Sequence, residues 1–229
     1  MTNNPIYCAI DTSNIEHAFK LIEQIKESIG GIKLGLEFYT HCGIEGINKI
    51  KELGLPIFID LKLFDIPNTA KTALKGILNL EPKFTTLHIS GGSEMMKGCV
   101  NVRNSNQSQT SLIGVTILTS FNEKGIREVG LSNSIEDQVL SLVKLANENN
   151  LDGIVCSPHE IKKLKQESKN NLKLIVPGIR NTGDDTNDQK RTMSASEAVN
   201  AGADILVIGR PITMANDPAE AAYKIFKSL

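Results

Sequence analysis

The chain has 229 residues, and its 25 basic and 26 acidic residues give a formal net charge of −1 at pH 7. This balance produces no field that would attract nucleic acid or an anionic membrane, so we expect neither as a partner. The first residues are polar and no apolar run approaches the roughly 20 residues that span a bilayer, so we expect a cytoplasmic protein without signal peptide or anchor.

In the first half of the chain, short apolar runs alternate with longer amphipathic segments, as is typical of parallel β-α-β units. We predict strands at residues 6–11, 32–36, 56–59 and 84–89. Helices are predicted from Ser13 and Asn14 to residue 29, from the second strand to about residue 53, and over residues 69–79. His88 lies at the end of the fourth strand, where we expect it to form hydrogen bonds rather than bind a metal.

The third strand leads into the most informative stretch of the chain, in which Asp60, Lys62 and Asp65 follow a buried apolar run. Charges at the end of a core strand cost several kcal/mol unless they are paired. A sequence that places them there usually uses them in chemistry. A surface ion pair at the strand end is the alternative interpretation.

The second half of the chain continues the alternation. Strands five to eight are predicted at residues 112–118, 153–156, 172–176 and 204–208, and a helix is predicted over residues 135–149. The polar segments 101–110 and 122–133 are predicted to be loops. Residues 181–188 follow strand seven and are expected to form a mobile lid, with a passive surface loop as the alternative.

Eight strands, each followed by a helix-sized segment, predict an α/β protein with one domain over residues 1–229, a closed (β/α)8 TIM barrel. An open doubly wound sheet is the alternative, but no G-x-G-x-x-G follows the first strand. The active face of a barrel lies at the carboxyl ends of its strands. The candidate site residues fall at or near those ends: Asp11, Lys33, Asp60, Lys62, His88, Thr119, Pro177 and Arg210.

The end of the eighth strand has the features of a phosphate site, because Gly209 and Arg210 follow it directly. In barrels, the loops after strands seven and eight often bind phosphate through backbone N–H groups near a helix N-terminus. A guanidinium group adds a planar, permanently charged fork.

The four cysteines are far apart and include no C-x-x-C pair. Two of them, Cys8 and Cys156, lie in apolar runs where a thiol behaves as a small core residue. We therefore expect reduced thiols and no metal site.

These motifs resemble the orotidine 5′-phosphate decarboxylase family nearly from end to end. The most specific match is the pattern D-x-K-x-x-D-I-P-x-T, which is complete from Asp60 to Thr69. The related sugar-phosphate decarboxylases and formaldehyde-fixing synthases share only D-x-K-x-x-D and lack a counterpart of Lys33. The chain departs from the family at Phe64, where many bacterial members carry histidine, and at Ile89, where a small residue is usual. Further matches lie at residues 9–11, 32–35, 88–92, 115–120, 177–180, 187–189 and 209–210.

The resemblance implies a carboxy-lyase of de novo pyrimidine biosynthesis, which removes CO2 from C6 of orotidine 5′-monophosphate to give uridine 5′-monophosphate. It implies no metal, flavin or pyridoxal cofactor, so preorganised charge alone must stabilise the carbanion-like transition state. By the same resemblance, Lys33, Asp60, Lys62 and Asp65 form an alternating charge network. Lys62 would protonate C6, and Asp60 would lie against the substrate carboxylate.

The resemblance also implies which residues bind the substrate. Asp11 and Lys33 would hold the ribose, and Thr119 the pyrimidine, with Pro177 also in contact. The phosphate would be bound by Arg180, Gln189, Gly209 and Arg210. Asp65, Ile66 and Thr69 would enter the site of the neighbouring subunit in an obligate homodimer.

Two other classes of protein remain open. A Mg²⁺-dependent sugar-phosphate decarboxylase of the same barrel superfamily would keep Asp60, Lys62 and Asp65. A non-catalytic barrel that binds a phosphate ligand would keep Arg210, but it has no reason to keep both charged pairs.

Overall fold

The computed structural model describes residues 4–167, 172–180 and 192–229. Eight parallel strands form a closed barrel in which each strand pairs with the next and the last pairs with the first. The predicted TIM barrel is therefore confirmed. The strands are β1 (Ile6–Ala9), β2 (Gly31–Leu34), β3 (Ile57–Leu63), β4 (Phe84–His88), β5 (Ser111–Val115), β6 (Gly153–Val155), β7 (Lys173–Val176) and β8 (Ile205–Ile208).

Helices connect the strands and cover the outside of the barrel. Side chains cap several of them; for example, Asn14 accepts a hydrogen bond from the backbone N–H of His17 at the start of the first helix. No helix in the described ranges is long and apolar enough to cross a membrane. The helices are α1 (Ile15–Ile25), α2 (Leu36–Lys51), α3 (Pro67–Leu78), α4 (Gly92–Ser105), α5 (Glu123–Glu128), α6 (Ile135–Glu148), α7 (Ile161–Glu167), α8 (Ala195–Ala201), α9 (Arg210–Thr213) and α10 (Pro218–Lys227).

An apolar cluster fills the bore of the barrel below the carboxyl ends of the strands. The Phe84 ring meets the rings of Tyr7 and Phe58 edge to face, with centroid distances of 5.4 and 5.8 Å. Ile113 and Ile175 complete the cluster. Burial raises the pKa of Tyr7 to about 12, so its phenol is neutral. The charged side chains at the strand ends therefore lie next to a layer of uncharged side chains in the bore.

Two segments predicted to be loops are partly helical. The helix α4 continues to Ser105 because Cys99 and Val100 are buried and Arg103 donates a hydrogen bond of 2.7 Å to Asp152. Farther along the chain, Asn122 accepts a hydrogen bond from the backbone N–H of Gly125 and starts the short helix α5. Both segments are polar, so their composition did not indicate a helix. One helix is stabilised by an ion pair to a residue distant in the sequence, and the other by its N-cap.

Several elements end at positions other than those predicted. The strand β1 stops at Ala9 and β5 at Val115, so Asp11 and Thr119 lie on loops at the barrel mouth. The helix α1 ends at Ile25, and a 3-10 turn over Lys26–Ser28 completes the predicted segment. The helix α3 begins two residues early, at Pro67, because the fixed φ of proline suits the first helical position.

The departure at Ile89 is accommodated by a glycine on the neighbouring strand. A Cβ atom at Gly114 would lie 2.6 Å from Cγ1 of Ile89, so no larger residue fits there while isoleucine occupies position 89. Ile89 is completely buried and belongs to the core between strands and helices. Ile89 is not a member of the apolar cluster in the bore, so this departure from the family lies outside the bore.

Candidate active site

Four charged side chains form an alternating chain at the carboxyl ends of β1, β2 and β3. Lys62 Nζ lies 2.8 Å from Asp60 Oδ2, and Lys33 Nζ lies 3.7 Å from the same oxygen. Lys33 Nζ also lies 3.3 Å from Asp11 Oδ1. Gly35 leaves room for this ammonium group, because a Cβ atom there would lie 2.9 Å from Lys33 Nζ. The structure thus brings together four of the residues selected from the sequence.

The charge of Asp60 is maintained against strong burial. Burial alone would raise the pKa of Asp60, which is only 8% exposed. The ammonium groups of Lys33 and Lys62, with hydrogen bonds from Lys62 and Thr86, outweigh that effect and hold the pKa below its usual value. The carboxylate is therefore ionised at neutral pH.

The strand β3 contains a bulge at the site. Residues 60–62 lie opposite the single residue Thr86 of β4. Within the bulge, Lys62 adopts a φ of +51°, in the left-handed region. For a residue with a Cβ atom, this conformation costs about 1–2 kcal/mol, and it persists only where surrounding contacts hold it.

Thr86 joins the two ends of the bulge. Its hydroxyl accepts a hydrogen bond from the backbone N–H of Lys62 and donates one to Asp60 Oδ1, both at 2.9 Å. The sequence analysis did not select Thr86. It could have been predicted from its position two residues before His88, because alternate residues of a strand share a face.

His88 does not have the hydrogen-bonding role that we expected. Its ring packs beside Phe64, with centroids 5.5 Å apart, and forms no hydrogen bond within the described part of the chain. Burial, with a further contribution from the charge of Lys62, lowers the pKa of His88. The imidazole is therefore neutral at pH 7 and adds no charge to the site.

Two adjoining cavities open at this face of the barrel. The smaller, of about 240 Å³, lies over Asp60 and Lys62. The larger, of about 840 Å³, extends toward the ends of β7 and β8. Lys33, Pro177 and Val207 line both cavities, so the two volumes meet beside the charge network.

The larger cavity has a cationic end. Arg180 and Arg210 both line it, and Gly209 lies between the end of β8 and the start of α9. Arg180 is 8% exposed, and its guanidinium donates a hydrogen bond of 2.8 Å to the carbonyl oxygen of Ile179. Gln189 and the predicted lid at residues 181–188 lie outside the described residues.

The smaller cavity combines polar and apolar walls. Thr119, predicted from the family resemblance, lines it together with Ser120. The sequence analysis did not select its apolar lining residues, which could have been found from their alternation on bore-facing strands or their proximity to Thr119. These are Phe58, Val115, Ile117, Leu118, Val155, Ile175 and Val207.

Asp65, Ile66 and Thr69 line neither cavity of their own chain. The carboxylate of Asp65 accepts a hydrogen bond of 2.7 Å from the backbone N–H of Ile66 and makes no ion pair with any described residue. The adjacent apolar side chains Phe64 and Ile66 are 62% and 68% exposed. The turn after β3 thus presents a carboxylate flanked by exposed apolar surface.

Comparison with known proteins identifies the relatives of the chain. The family model described as "Orotidine 5'-phosphate decarboxylase / HUMPS family" matches residues 4–225. The chain is 46% identical to orotidine 5′-phosphate decarboxylase of Ehrlichia chaffeensis, over 100% of this chain and 98% of that protein. It is 44% identical to the enzyme of the same name from Paramagnetospirillum magneticum, over 97% of both chains. A crystal structure of orotidine 5′-phosphate decarboxylase from Lactobacillus acidophilus matches with a TM-score of 0.87 and 34% identity, over 98% of both chains.

Proposed function

The chain belongs to the orotidine 5′-phosphate decarboxylase / HUMPS family, and on this basis we propose that it converts orotidine 5′-monophosphate to uridine 5′-monophosphate and CO2. The observation that carries the proposal is the position of the charge network between two cavities of different character. A nucleotide requires this division, with a partly apolar slot for its base and a cationic end for its phosphate. The reacting carbon of the base would then lie over Asp60 and Lys62.

The proposed chemistry depends on charge placed before the substrate arrives. The bond between C6 and the carboxylate breaks heterolytically, and its electron pair remains at C6 while CO2 leaves. The Lys62 ammonium, held 2.8 Å from Asp60, stabilises this charge and then transfers its proton to C6. Solvent subsequently reprotonates Lys62. Because Asp60 is ionised and buried, it also disfavours a second carboxylate beside it before CO2 leaves.

The remaining residues of the site would position the nucleotide. Asp11 and Lys33, which meet at the junction of the cavities, are suited to the ribose hydroxyls. The lining of the smaller cavity, including Thr119 and Pro177, would hold the pyrimidine. We assign the phosphate to Arg180, Gln189, Gly209 and Arg210, of which Gln189 lies outside the described residues.

The charge pattern favours chemistry without a divalent cation at Asp60. The ammonium group of Lys33, for which the Mg²⁺-dependent relatives have no counterpart, lies 3.7 Å from Oδ2 of this carboxylate and would repel a metal ion there. Its other oxygen accepts the hydrogen bond from Thr86. The Mg²⁺-dependent alternative is therefore not favoured.

We also propose a homodimer in which Asp65, Ile66 and Thr69 contribute to the site of the partner subunit. The carboxylate of Asp65 makes no ion pair within the described part of its own chain, and it lies between the exposed side chains of Phe64 and Ile66. Burying these apolar side chains at an interface would carry Asp65 toward a neighbouring barrel mouth. A two-fold axis would repeat the exchange at both sites.

The proposed activity can be tested with purified protein and orotidine 5′-monophosphate. We expect the ultraviolet spectrum to change from that of orotidine 5′-monophosphate to that of uridine 5′-monophosphate, with one uridine 5′-monophosphate and one CO2 formed for each molecule consumed. If the nucleotide is untouched and a phosphorylated keto-sugar acid is decarboxylated instead, the chain performs the alternative reaction of its superfamily.

Arg210→Ala is expected to lower kcat/KM for orotidine 5′-monophosphate by about 10- to 150-fold, the range for one hydrogen bond to a charged group. Binding energy from the remote phosphate can also be used to assemble the charged site, so kcat should fall as well as affinity. Steady-state kinetics measure both effects. Free guanidinium ion should restore part of the activity of this variant, and free phosphite should accelerate the native enzyme on a substrate that lacks the phosphate.

Arg127 provides a matched control, because it is an exposed arginine on α5 that lines neither cavity. Arg127→Ala should retain native kinetics. Absence of rescue in both the guanidinium and the phosphite experiments would mean that residues other than Arg210 bind the phosphate.

A further inference from the structure

We propose that Thr86 is a positioning residue, whose buried hydroxyl holds both Asp60 and Lys62 in the geometry required by the reaction. The proposal rests on the proposed function, because the geometry matters only if these two charges act on the substrate. Thr86 lines neither cavity and is not expected to touch the nucleotide. Its effect on turnover would therefore pass through its two hydrogen-bonded neighbours.

The hydrogen bonds of Thr86 leave its hydroxyl little freedom. A threonine hydroxyl has one hydrogen to donate and lone pairs to accept. Here the hydrogen goes to Asp60 Oδ1 and a lone pair receives the backbone N–H of Lys62, each at 2.9 Å. Thr86 is 0% exposed, so water is not available to replace either bond. One side chain thus fixes a carboxylate and the backbone of its partner cation together.

The bulge explains why this support is needed. Residues 60–62 lie opposite Thr86 alone, so the regular pairing of β3 with β4 is interrupted where Lys62 leaves the strand. The backbone N–H of Lys62 is bonded to the Thr86 hydroxyl, and its φ of +51° is rare for a residue with a side chain. The direction in which the Lys62 side chain leaves the backbone therefore depends on this bond.

Thr86 also orients the Asp60 carboxylate. By binding Oδ1, it leaves Oδ2 facing the ammonium groups of Lys62 and Lys33 at 2.8 and 3.7 Å. Without this bond the carboxylate could rotate about its terminal torsion, which is broad in aspartate. Rotation would change both distances at once, and the network would lose the arrangement that places the Lys62 proton donor.

The neighbouring threonine provides an internal comparison. Thr85 is also 0% exposed, but its hydroxyl oxygen has no hydrogen-bond partner within the described ranges. The two adjacent residues share their type, burial and strand, although they point to opposite faces of it, and only the hydroxyl of Thr86 is hydrogen-bonded. Thr85→Val is expected to leave kcat unchanged.

The test compares Thr86→Val, Thr86→Ala and Thr86→Ser with Thr85→Val. We expect valine and alanine at position 86 to lower kcat by about 10- to 150-fold, the range for losing a hydrogen bond to a charged group. KM should change by less than about threefold, because the groups that bind phosphate and base are untouched. Thr86→Ser keeps the hydroxyl and should retain at least about half of the native kcat.

A purely structural role for Thr86 would rank the variants differently by kcat. Serine loses the methyl group that packs in the barrel wall, whereas valine keeps the shape of threonine, so serine would be the more damaging change. Equal losses for serine and alanine, which differ by one oxygen atom, would overturn the proposal. If Thr86→Val does not fold, the comparison of Thr86→Ala with Thr86→Ser still tests the proposal.

Crystal structures of native protein and Thr86→Ala give a second readout that does not depend on activity. We expect the variant to lose the Lys62 Nζ to Asp60 Oδ2 contact or the positive φ of Lys62. An unchanged arrangement would overturn the role of Thr86. If native protein does not decarboxylate orotidine 5′-monophosphate, the proposed function fails instead, and these structures still decide whether Thr86 holds the two charges.

Discussion

Lys62→Ala is expected to lower kcat by at least about 10⁴-fold while leaving a folded protein that binds uridine 5′-monophosphate, because this ammonium supplies both the proton and the nearest positive charge. Each of these contributions alone is typically worth about 10²-fold or more. Folding should survive, since Asp60 keeps its contacts with Lys33 and Thr86. Single-turnover kinetics measure the loss of rate, and calorimetric titration with uridine 5′-monophosphate measures whether the variant still binds the product.

A surface lysine serves as the control for this substitution. Lys51 pairs with Glu81 at 3.1 Å and lies at the opposite end of the barrel from the charge network. Lys51→Ala should therefore behave as the native enzyme. If Lys62→Ala retains a tenth of the native rate, its loss is only about 1.4 kcal/mol in the barrier, and Lys62 cannot be the proton donor.

Mixing inactive Asp65→Ala with inactive Lys62→Ala protein is expected to restore about a quarter of native activity, because Asp65 is proposed to act in the partner's site. Random exchange makes about half of the dimers hybrid, and in each hybrid one of the two sites has every native group. The intact site combines Asp60 and Lys62 of one chain with Asp65 of the other. A tag on one variant allows the hybrids to be counted.

The matched control mixes Lys62→Ala with Asp60→Asn. Both residues belong to one chain of each site, so no hybrid site is complete and the mixture should remain inactive. If the Asp65→Ala mixture also remains inactive although the tag shows exchange, Asp65 acts within its own chain and the shared site is wrong.

The barrel could be predicted from the sequence because its signals are local. Each buried strand is a short apolar run, and each connection is long enough for a helix. The helical part of residues 101–110 could not be recognised in this way. Its last turn is held by the ion pair between Arg103 and Asp152, which are 49 positions apart.

The charge network could be predicted in its members but not in its geometry. Alternation along a strand places Asp60 and Lys62 on one face, and the family pattern adds Lys33. The bulge at residues 60–62, where Lys62 has a positive φ, is hydrogen-bonded to the hydroxyl of Thr86, which belongs to another strand. No pattern within β3 contains that information.

The site proposed to be shared between subunits is the feature that is hardest to predict from the sequence alone. Asp65 follows the strand by two positions, and its spacing is compatible with either chain. The exposure of Phe64 and Ile66 beside it is a property of the folded surface, because it depends on how α3 leaves the barrel. Only the family resemblance suggested a partner before this surface was known.

The central proposal is that the charges of this chain decarboxylate the nucleotide without a divalent cation. The most direct measurement is the rate of conversion of orotidine 5′-monophosphate before and after exhaustive dialysis against a chelator, with the chelator kept in the assay. We expect kcat and KM to be unchanged and added Mg²⁺ to have no effect. A rate that disappears in chelator and returns with Mg²⁺ would contradict the proposed mechanism.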